Sequence, residues 1–560
     1  MLSGLLLENF KAFGDRQYVP LAPITLIFGA NSAGKSSILQ SLLLLKQTFA
    51  IDSPEILLLP KGPLTDLGNF REMVHRHDAT RTCEITPLLS ADTQTTPLDD
   101  FLFQPYHLPE AEHGLGFRFG FDVAMEELKL VSLPYYFADR ESPAFVMNPT
   151  DPPEQTVSRR HAFSPSSRVR GSYTRFVAPS DINSANPLLQ SLLAEFRSTR
   201  LSPLLKSFVD AEKVLTEDPD QASTPFRNAL LSVLRSPRVS SAGRSIDEGI
   251  SPEYFLALIR KQMKHFSRYT SRTFISDTNK INRHRKMALR TMLPIELIYG
   301  RRNTPTGETL IDTWIDRATP LYSEELFPNL AQETVSLAMY LRQAFEDMVY
   351  LGPLRDSPER NYIFSGNVAT EVGKSGRYLP DILFKQQSLV DSTNTLMRQF
   401  EIGYTLQVRK VPDIEEIFSL RLIDERSATA VSMVDVGFGI SQVLPVIVQS
   451  MLSRDNIILI EQPEIHLHPR LQAHLGTLFF QGFKESGNQF IVETHSEHLI
   501  LRLQKLLREG LLAPSDISVI YVTKDEQGSH CVTLPIGSNG EFLQEWPEGF
   551  FEEAFNEVFG

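Results

Sequence analysis

Residues Ile24–Gln47 read ITLIFGANSAGKSSILQSLLLLKQ. An apolar run, Ile24–Phe28, meets a small-residue loop, Gly29–Ser36, and a leucine-rich helical pattern follows at once. The loop has the spacing Gly-x4-Gly-Lys-Ser, which between a strand and a helix is typical of phosphate-binding loops. Glycines let successive N–H groups point at phosphate oxygens, and the helix N-terminus adds a partial positive charge. The stretch therefore predicts a nucleotide site.

The chemistry of the loop predicts ATP and Mg²⁺ as cofactors. Lys35 has the length to reach the β- and γ-phosphates, and the Ser36 hydroxyl is a suitable ligand for Mg²⁺. The residues predicted to surround the nucleotide are Gly29, Ala30, Asn31, Ser32, Ala33, Gly34, Lys35, Ser36 and Ser37.

Composition places the chain among ordinary globular proteins. Its 560 residues are 42% hydrophobic and 22% charged, and no apolar run approaches the length of a membrane span. The N-terminus lacks the basic region and cleavage site of a signal peptide, and the two cysteines exclude a disulfide framework. We therefore expect a cytoplasmic location. The net charge of −13 argues against a globally basic nucleic-acid binder, although it leaves room for a local patch.

The order of patterns predicts an α/β fold with three domain ranges. Residues 1–78 and 345–560 alternate strand and helix patterns, as expected for a P-loop ATPase head with a mixed sheet and flanking helices. Residues 79–344 differ in character and predict a large mixed α/β insertion, with helical spacing at Asn186–Thr216 and Glu253–Arg290. Strands are predicted at Leu5–Phe10, Asp347–Leu351, Tyr404–Val408, Ile417–Ile423, Ile457–Ile460, Gln489–Glu493 and Ile517–Val522.

Three later segments complete the pattern that a P-loop requires. Asp435–Pro445, DVGFGISQVLP, is a small-residue turn that opens a helix. Asn456–Pro469 is an apolar strand that ends in Glu461, with Glu464 three residues later, and such a strand end suits a Mg²⁺ site. Phe490–Leu499 is a second apolar strand, which ends in Thr494-His495-Ser496. Each signal is weak alone, but their order after a P-loop strengthens all three.

In this order the chain resembles the ABC-type ATPase heads of the SMC, RecF and OLD group, which are often classed among AAA-type ATPases. The motifs that carry the resemblance are Gly29–Ser36, Gly437–Gln442, Glu461–Pro469 and Thr494–Ser496, and Glu8–Phe13 is similar to the first strand of such heads. The resemblance covers residues 1–78 and 345–560. It implies a head-to-head homodimer that holds two ATP molecules between its subunits.

The same resemblance implies a role for each motif. Ser36 and Glu461 would hold Mg²⁺ on one subunit. Gly437, Gly439 and the helix start up to Gln442 would contact the γ-phosphate bound by the other subunit. His495 would act as the sensor that couples the γ-phosphate to a conformational change.

Two departures from the family pattern affect catalysis. The serine that usually precedes the signature glycines is missing, and Gln462 stands where the water-activating glutamate is expected. Glutamine orients water but does not accept its proton, and loss of a general base costs on the order of 10²–10⁴ in rate. Either Glu464 takes this role or hydrolysis is slow. We favour slow hydrolysis with Glu464 as the residual base, the alternative being that Glu464 caps the helix near His466.

Two further segments look like a bacterial subfamily found in anti-phage defence operons, similar to the PtuA-like ATPase subunits of Septu and retron systems. They are Tyr350–Arg360, YLGPLRDSPER, and Trp546–Phe551. The resemblance implies a separate effector, a nuclease with the HNH type among the candidates, because the chain shows no nuclease motif. The alternatives are a RecF-like DNA-repair clamp and an ATP-dependent scaffold with little turnover.

Three other features leave two interpretations open. Arg260–Arg290 holds ten Lys or Arg residues and one acid, which suits a groove for DNA or RNA and equally a solvated helix face. The aromatic and acidic tail Glu541–Gly560 would either bind a partner or pack on the head. Arg355 and Arg360 would either contact nucleotide across the dimer or fix their own loop, and the second is favoured.

Overall fold

The computed structural model describes residues 1–51, 57–90, 111–122, 124–149, 176–180, 186, 334, 337–366, 369–412 and 414–547. Nearly all of them belong to one compact unit, Met1–Arg168, Thr174–Ser180 and Gln332–Gly560. The second unit, Val169–Tyr173 and Asp181–Ala331, is described only at Asn186. Apart from Asn186, the two helices predicted at Asn186–Thr216 and Glu253–Arg290 lie outside the described residues, as does the basic cluster Arg260–Arg290.

The strands of the described unit, in chain order, are β1 (Leu2–Glu8), β2 (Gln17–Pro20), β3 (Ile24–Gly29), β4 (Cys83–Leu89), β5 (His113–Leu115), β6 (Phe117–Asp122), β7 (Glu127–Phe137), β8 (Phe145–Pro149), β9 (Phe176–Ser180), β10 (Val349–Leu351), β11 (Tyr362–Ile363), β12 (Tyr404–Val411), β13 (Ile414–Asp424), β14 (Ala430–Ser432), β15 (Ile457–Glu461), β16 (Gln489–Glu493), β17 (Ile517–Lys524) and β18 (Ser529–Thr533). The strands predicted from the sequence are confirmed at β1, β10, β12, β13, β15, β16 and β17.

The helices of the described residues are α1 (Lys35–Phe49), α2 (Phe70–Met73), α3 (Leu379–Lys385), α4 (Gln387–Gln399), α5 (Phe438–Leu452), α6 (Pro469–Ser486) and α7 (Glu497–Arg508), with a further helical run over 337–346. Short 3-10 turns lie at His75–His77, Met433–Asp435 and Pro514–Asp516. None of these helices has the length and apolar character that crossing a membrane requires.

The central sheet has six strands in the order β10-β15-β16-β3-β17-β18. The first five are parallel, and β18 is antiparallel to β17. All six residues of β3 are buried, as is typical of a strand covered on both faces. Ile24, Leu26 and Phe28 enter a core shared with α5, α6 and α7. Because parallel strands end at one edge, β3, β15 and β16 bring their last residues to the same side of the sheet.

This architecture confirms the predicted fold class, an α/β P-loop ATPase head with a mixed sheet and flanking helices. The phosphate-loop strand lies inside the parallel sheet, and a helix follows it directly. The fold of the predicted insertion lies largely outside the described residues.

Two antiparallel sheets accompany the central one. An eight-stranded sheet runs β2-β1-β4-β5-β7-β8-β9, with β6 beside β4 and β7, and a four-stranded sheet contains β11, β13, β12 and β14. The boundary predicted at residues 78 and 79 falls just before β4, which pairs with β1 and so continues the sheet across that point. The three domain ranges themselves stay a prediction.

Within the described residues, the C-terminal tail packs on the head. The Trp546 ring lies edge-on to Phe28, with centroids 5.3 Å apart, and edge-on to Phe542 at 4.9 Å. Tyr521 of β17 also contacts Trp546. Packing on the head, the second of the two interpretations of the tail, therefore holds for Phe542 and Trp546, and the tail beyond residue 547 lies outside the described residues.

A buried carboxylate holds the eight-stranded sheet together, and its neutralisation is expected to destabilise the sheet. Glu84 is 3% exposed and accepts hydrogen bonds from Arg118 Nε at 2.9 Å and from the Tyr136 hydroxyl at 2.8 Å. Glu84→Gln leaves the Arg118 guanidinium without its charged partner. We expect a loss of about 1–3 kcal/mol in the free energy of unfolding, measured by urea denaturation. Glu127→Gln, at an exposed position of β7, is the control, and equal losses in both variants would contradict the prediction.

Candidate functional site

The P-loop backbone requires glycine at two positions. Gly29 has φ +143° and Gly34 has φ +104°, both in the left-handed region. A Cβ at Gly29 would lie 2.4 Å from the carbonyl oxygen of Val522, and one at Gly34 would lie 2.8 Å from Cβ of Ala12. The loop is thus packed closely against Val522 of β17, Ala12 and Ser529 of β18. The Ser529 hydroxyl adds a hydrogen bond to the Ala33 carbonyl at 2.5 Å.

Lys35 begins α1 and turns its amine back into the loop. Its Nζ donates to the carbonyl oxygens of Gly29 and Ala30, both at 3.0 Å, and the residue is 4% exposed. Burial lowers the pKa of this amine, and the carboxylates of Glu493 and Glu464 act in the opposite direction. The hydrogen bonds described for this buried ammonium go to neutral carbonyl oxygens. A negatively charged group such as a phosphate would be a stronger partner for it.

A cavity of about 570 Å³ opens beside the loop. That volume is in the range of small-molecule sites. Its lining includes the predicted residues Asn31, Ser32, Gly34, Lys35, Ser36 and Ser37. Gln462, Glu493, Arg76 and His77 also line the cavity. The structure therefore brings the P-loop together with the ends of β15 and β16 around one space.

The acidic strand end is fixed by a tyrosine. Glu461 Oε1 accepts a hydrogen bond from the Tyr350 hydroxyl at 2.8 Å. The pKa of the Glu461 carboxyl is raised to about 7, chiefly by burial; the Tyr350 hydrogen bond acts to lower this pKa and the neighbouring Glu493 acts to raise it. Glu461 is not among the residues that line the cavity. Its predicted role as a metal ligand stays a prediction.

Arg355 holds the turn after β15. It is 5% exposed, and its guanidinium donates to the carbonyl oxygens of Glu461 at 3.0 Å and Gln462 at 3.2 Å. Gln462 has φ +44° and donates its own N–H to the Glu493 carbonyl at 2.8 Å. Arg360 forms a two-pronged ion pair with Asp435 at 2.6 and 2.8 Å. Both arginines therefore fix loops of their own chain, as the favoured interpretation expects.

Glu464 anchors the loop between β16 and α7. It is 9% exposed, its Oε1 accepts from the His495 N–H at 2.6 Å, and its Oε2 accepts from the Thr494 hydroxyl at 2.8 Å. It does not cap α6, which begins at Pro469 with His468 as its N-cap. With both oxygens bonded and no place in the cavity wall, Glu464 is better suited to positioning the loop than to activating water. Its role as residual base stays a prediction.

His495 lies in the loop that Glu464 holds. Burial lowers the pKa of its imidazole, and the charge of Lys35 lowers it further, so both favour the neutral ring. The backbone bond to Glu464 links its position to the acidic segment after β15. Its function as a γ-phosphate sensor stays a prediction.

The signature-like segment does not line the cavity of its own chain. Helix α5 begins at Phe438 with Gly437 as its N-cap, and both residues are exposed. Gly439 packs closely, since a Cβ there would lie 2.6 Å from the His466 carbonyl oxygen. The Gln442 side chain is 1% exposed and its Oε1 accepts from the Arg355 N–H at 3.4 Å, so it faces the interior. Contact of this segment with a nucleotide on another subunit stays a prediction.

Sequence reasoning missed Glu493. It is the last residue of β16, it is 4% exposed, and it lines the cavity with Lys35, Ser36 and Gln462. Burial raises the pKa of its carboxyl, and the Ser36 hydroxyl and Lys35 lower it. The sequence contains a signal for it, because Glu493, like Glu461, is the last residue of an apolar strand. The sequence pattern instead assigned the functional role at this strand end to the next three residues, Thr494-His495-Ser496.

The donor set around Ser36 fits a Mg²⁺ ion that comes with a triphosphate. Mg²⁺ in such sites takes one or two carboxylates together with substrate phosphate oxygens. The cavity wall offers the Ser36 hydroxyl and a buried Glu493 oxygen, Oε2, without a hydrogen-bond partner in the described structure. The described residues contain no cluster of three or more metal-binding side chains, so the phosphates would have to complete the coordination.

Two family models match parts of the chain. The family described as AAA ATPase domain matches residues 1–96 and 365–500, and a family described as Protein of unknown function (DUF3696) matches residues 512–559. The first match spans the P-loop, the signature-like turn, the β15 segment and His495. The match supports an ATP-binding ATPase domain of the P-loop type in these two ranges. No curated protein matches the sequence.

Three solved SMC head domains resemble the chain at low identity. The head with an extended coiled coil bound to the C-terminal domain of ScpA from Pyrococcus furiosus is 11% identical, with 100% of this chain and 98% of that chain covered and a TM-score of 0.34. The Pyrococcus yayanosii head is 12% identical, covers 95% and 97%, and also scores 0.34. The Thermotoga maritima head is 10% identical, covers 96% and 99%, and scores 0.34. Such scores support no conclusion about this chain.

Proposed function

We propose that the chain binds ATP with Mg²⁺ at Gly29–Ser37 and that the nucleotide joins two copies head to head. The observation that carries the proposal is the buried Lys35 amine, held by two carbonyls beside a cavity lined by residues of the loop. The exposed N-terminus of α5 at Gly437 supports the second part. A helix N-terminus attracts anions, and this one is free of the chain's own cavity.

We propose further that hydrolysis is slow. Gln462 lies in the cavity wall where a base would act, and an amide does not accept a proton from water at neutral pH. Two further carboxylates near the end of β15 are otherwise engaged: Tyr350 holds Glu461, and the β16–α7 loop holds both oxygens of Glu464. When bound, Mg²⁺ would neutralise charge on the phosphates, while Lys35 and the loop N–H groups bind and orient them. The chain then acts as a switch with a long-lived ATP state.

For the biological role we propose control of a separate effector, a nuclease of HNH or another type, in anti-phage defence. The support is the likeness of Tyr350–Arg360 and Trp546–Phe551 to PtuA-like subunits of Septu and retron systems. The second candidate, a RecF-like DNA-repair clamp, rests on the basic cluster Arg260–Arg290. Co-purification of the full chain from its native operon separates them: a bound nuclease supports the first, and bound DNA without a nuclease supports the second.

Gly437→Glu is expected to prevent ATP-dependent dimerisation without disturbing the subunit. A Cβ at Gly437 meets no atom within 4 Å, so the subunit has room for the new side chain. Its carboxylate would meet the γ-phosphate bound by the other copy and repel it. We expect wild type to sediment as a dimer with ATP and Mg²⁺, and the variant to remain monomeric while its ATP affinity stays within about twofold.

Gln407→Glu adds the same charge at an exposed position of β12 and serves as the control, so it should dimerise like wild type. Wild type that stays monomeric when saturated with ATP would refute the head-to-head arrangement. A Gly437→Glu variant that dimerises normally would show that α5 does not meet the nucleotide.

A further inference from the structure

Glu493 lies closer to the P-loop strand than the acidic residue the sequence pattern singles out. It ends β16, which is hydrogen-bonded directly to β3, and it is the register partner of Ile27, two residues before Gly29. Glu461 ends β15, one strand farther away, and is the register partner of Glu493 on its other side. The strand order therefore places Glu493 between the P-loop and Glu461.

The surroundings of Glu493 lack a full set of partners. The residue is 4% exposed, and within the described structure its Oε2 has no hydrogen-bond partner. Its carboxyl faces the Ser36 hydroxyl and the field of the Lys35 ammonium. Burying an ionised carboxylate without compensation is costly, so such a group is usually paired with a cation or a metal. Lys35 is already directed to the carbonyls of Gly29 and Ala30.

Glu461 differs in both respects. Its Oε1 accepts the Tyr350 hydroxyl at 2.8 Å, and it does not line the cavity that Ser36 and Glu493 share. Two buried carboxylates on neighbouring strands repel each other, and a divalent cation beside one of them relieves this repulsion. The carboxylate nearest the Ser36 hydroxyl is the one placed to hold that cation.

We propose that Glu493, in place of Glu461, is the carboxylate that holds the divalent cation at Ser36. The ligand class is a hard divalent cation such as Mg²⁺, bound through a carboxylate oxygen, a serine hydroxyl and the phosphates of the nucleotide. Glu461 then has a positioning role, in which it holds the Tyr350 hydroxyl through a hydrogen bond. This inference rests on the proposed ATP site and specifies which residue completes it.

The test compares the affinity for a fluorescent ATP analogue with saturating Mg²⁺ and with EDTA. In wild type, Mg²⁺ should strengthen binding. In Glu493→Gln that advantage should fall on the order of 10- to 100-fold, as is typical when a carboxylate that supports a metal is removed. Affinity in EDTA should persist or rise, since one negative charge near the triphosphate is gone, and this shows that the site has folded. Mn²⁺ titrated into the ATP-bound protein and counted by electron paramagnetic resonance measures the ion directly.

Two matched variants sharpen the result. Glu461→Gln should keep the Mg²⁺ advantage, and so should Glu485→Gln at an exposed position of α6. A Glu493→Gln protein with the full advantage, or a loss confined to Glu461→Gln, would overturn this inference and leave the ATP site standing. Wild type that binds no nucleotide in either condition would instead overturn the proposed function, and this inference with it.

Discussion

Lys35→Ala should strongly weaken ATP binding and leave the fold intact. The amine is the cation in the loop, and hydrogen bonds to charged groups contribute about 1.5–3 kcal/mol each. Loss of its phosphate contacts should weaken ATP by at least about 100-fold, since each 1.4 kcal/mol is tenfold. Isothermal titration calorimetry measures the change. Burial lowers the pKa of this amine, which means that the folded protein bears a cost for keeping it charged. The melting temperature without ATP should therefore not fall.

The control for this variant is Lys46→Ala. Lys46 lies at the other end of α1 and donates to the carbonyl oxygens of Phe345 and Glu346. The Lys46→Ala substitution therefore removes the same charge from the same helix, but away from the loop. Its ATP affinity should match wild type. Equal affinities in all three proteins would mean that the cavity beside Gly29–Ser36 is not the nucleotide site.

Gln462→Glu should accelerate hydrolysis. Gln462 lies in the cavity wall with its backbone fixed at φ +44° by the bonds to Glu493 and Arg355. Glutamate has the same shape as glutamine, so the turn should hold and the cavity wall should gain a proton acceptor. General-base catalysis contributes about 10²–10⁴ in rate, and we expect an increase approaching that range in single-turnover experiments with radiolabelled ATP.

Gln462→Asn tests whether the carboxylate itself is responsible. It shortens the side chain without adding a base, so its rate should not exceed that of wild type. Rapid hydrolysis by wild type, near the median turnover of about 10 s⁻¹ for enzymes, would contradict the proposed slow switch. So would a Gln462→Glu protein that hydrolyses ATP no faster than wild type.

The sequence predicts the individual segments of this site well. It predicts that these segments lie close together in space only through the resemblance to known ATPase heads. Gly29–Ser36 is recognisable because glycine, lysine and serine each have a local task at fixed spacing. The strands β15 and β16 are recognisable from short apolar runs. Their order in the sheet is a long-range property that no local pattern contains. Only the structure shows that β16 lies between β3 and β15 and so puts Glu493, which we had not singled out, beside Ser36.

The side-chain directions were equally hidden. Gln442 belongs to a motif expected at the nucleotide, yet it follows Phe438 by one helical turn on α5 and is buried against Arg355. The sequence suggests that the Glu464 carboxylate is available to act as a base, yet both of its oxygens accept hydrogen bonds from the loop after β16. In both cases the decisive partner is far away along the chain, at Arg355 or at Thr494 and His495.

The position of β3 also governs when the site forms during synthesis. Its neighbours in the sheet are β16 and β17, which leave the ribosome long after it. At about 5–20 residues per second, the apolar strand Ile24–Gly29 waits about 20–90 s for partners. Over that time the edges of β3 that pair with β16 and β17 in the folded protein, and the leucines of α1, are exposed to chaperones or to other nascent chains. A chain halted before β17 carries every residue of the P-loop and lacks the backbone that closes against Gly29.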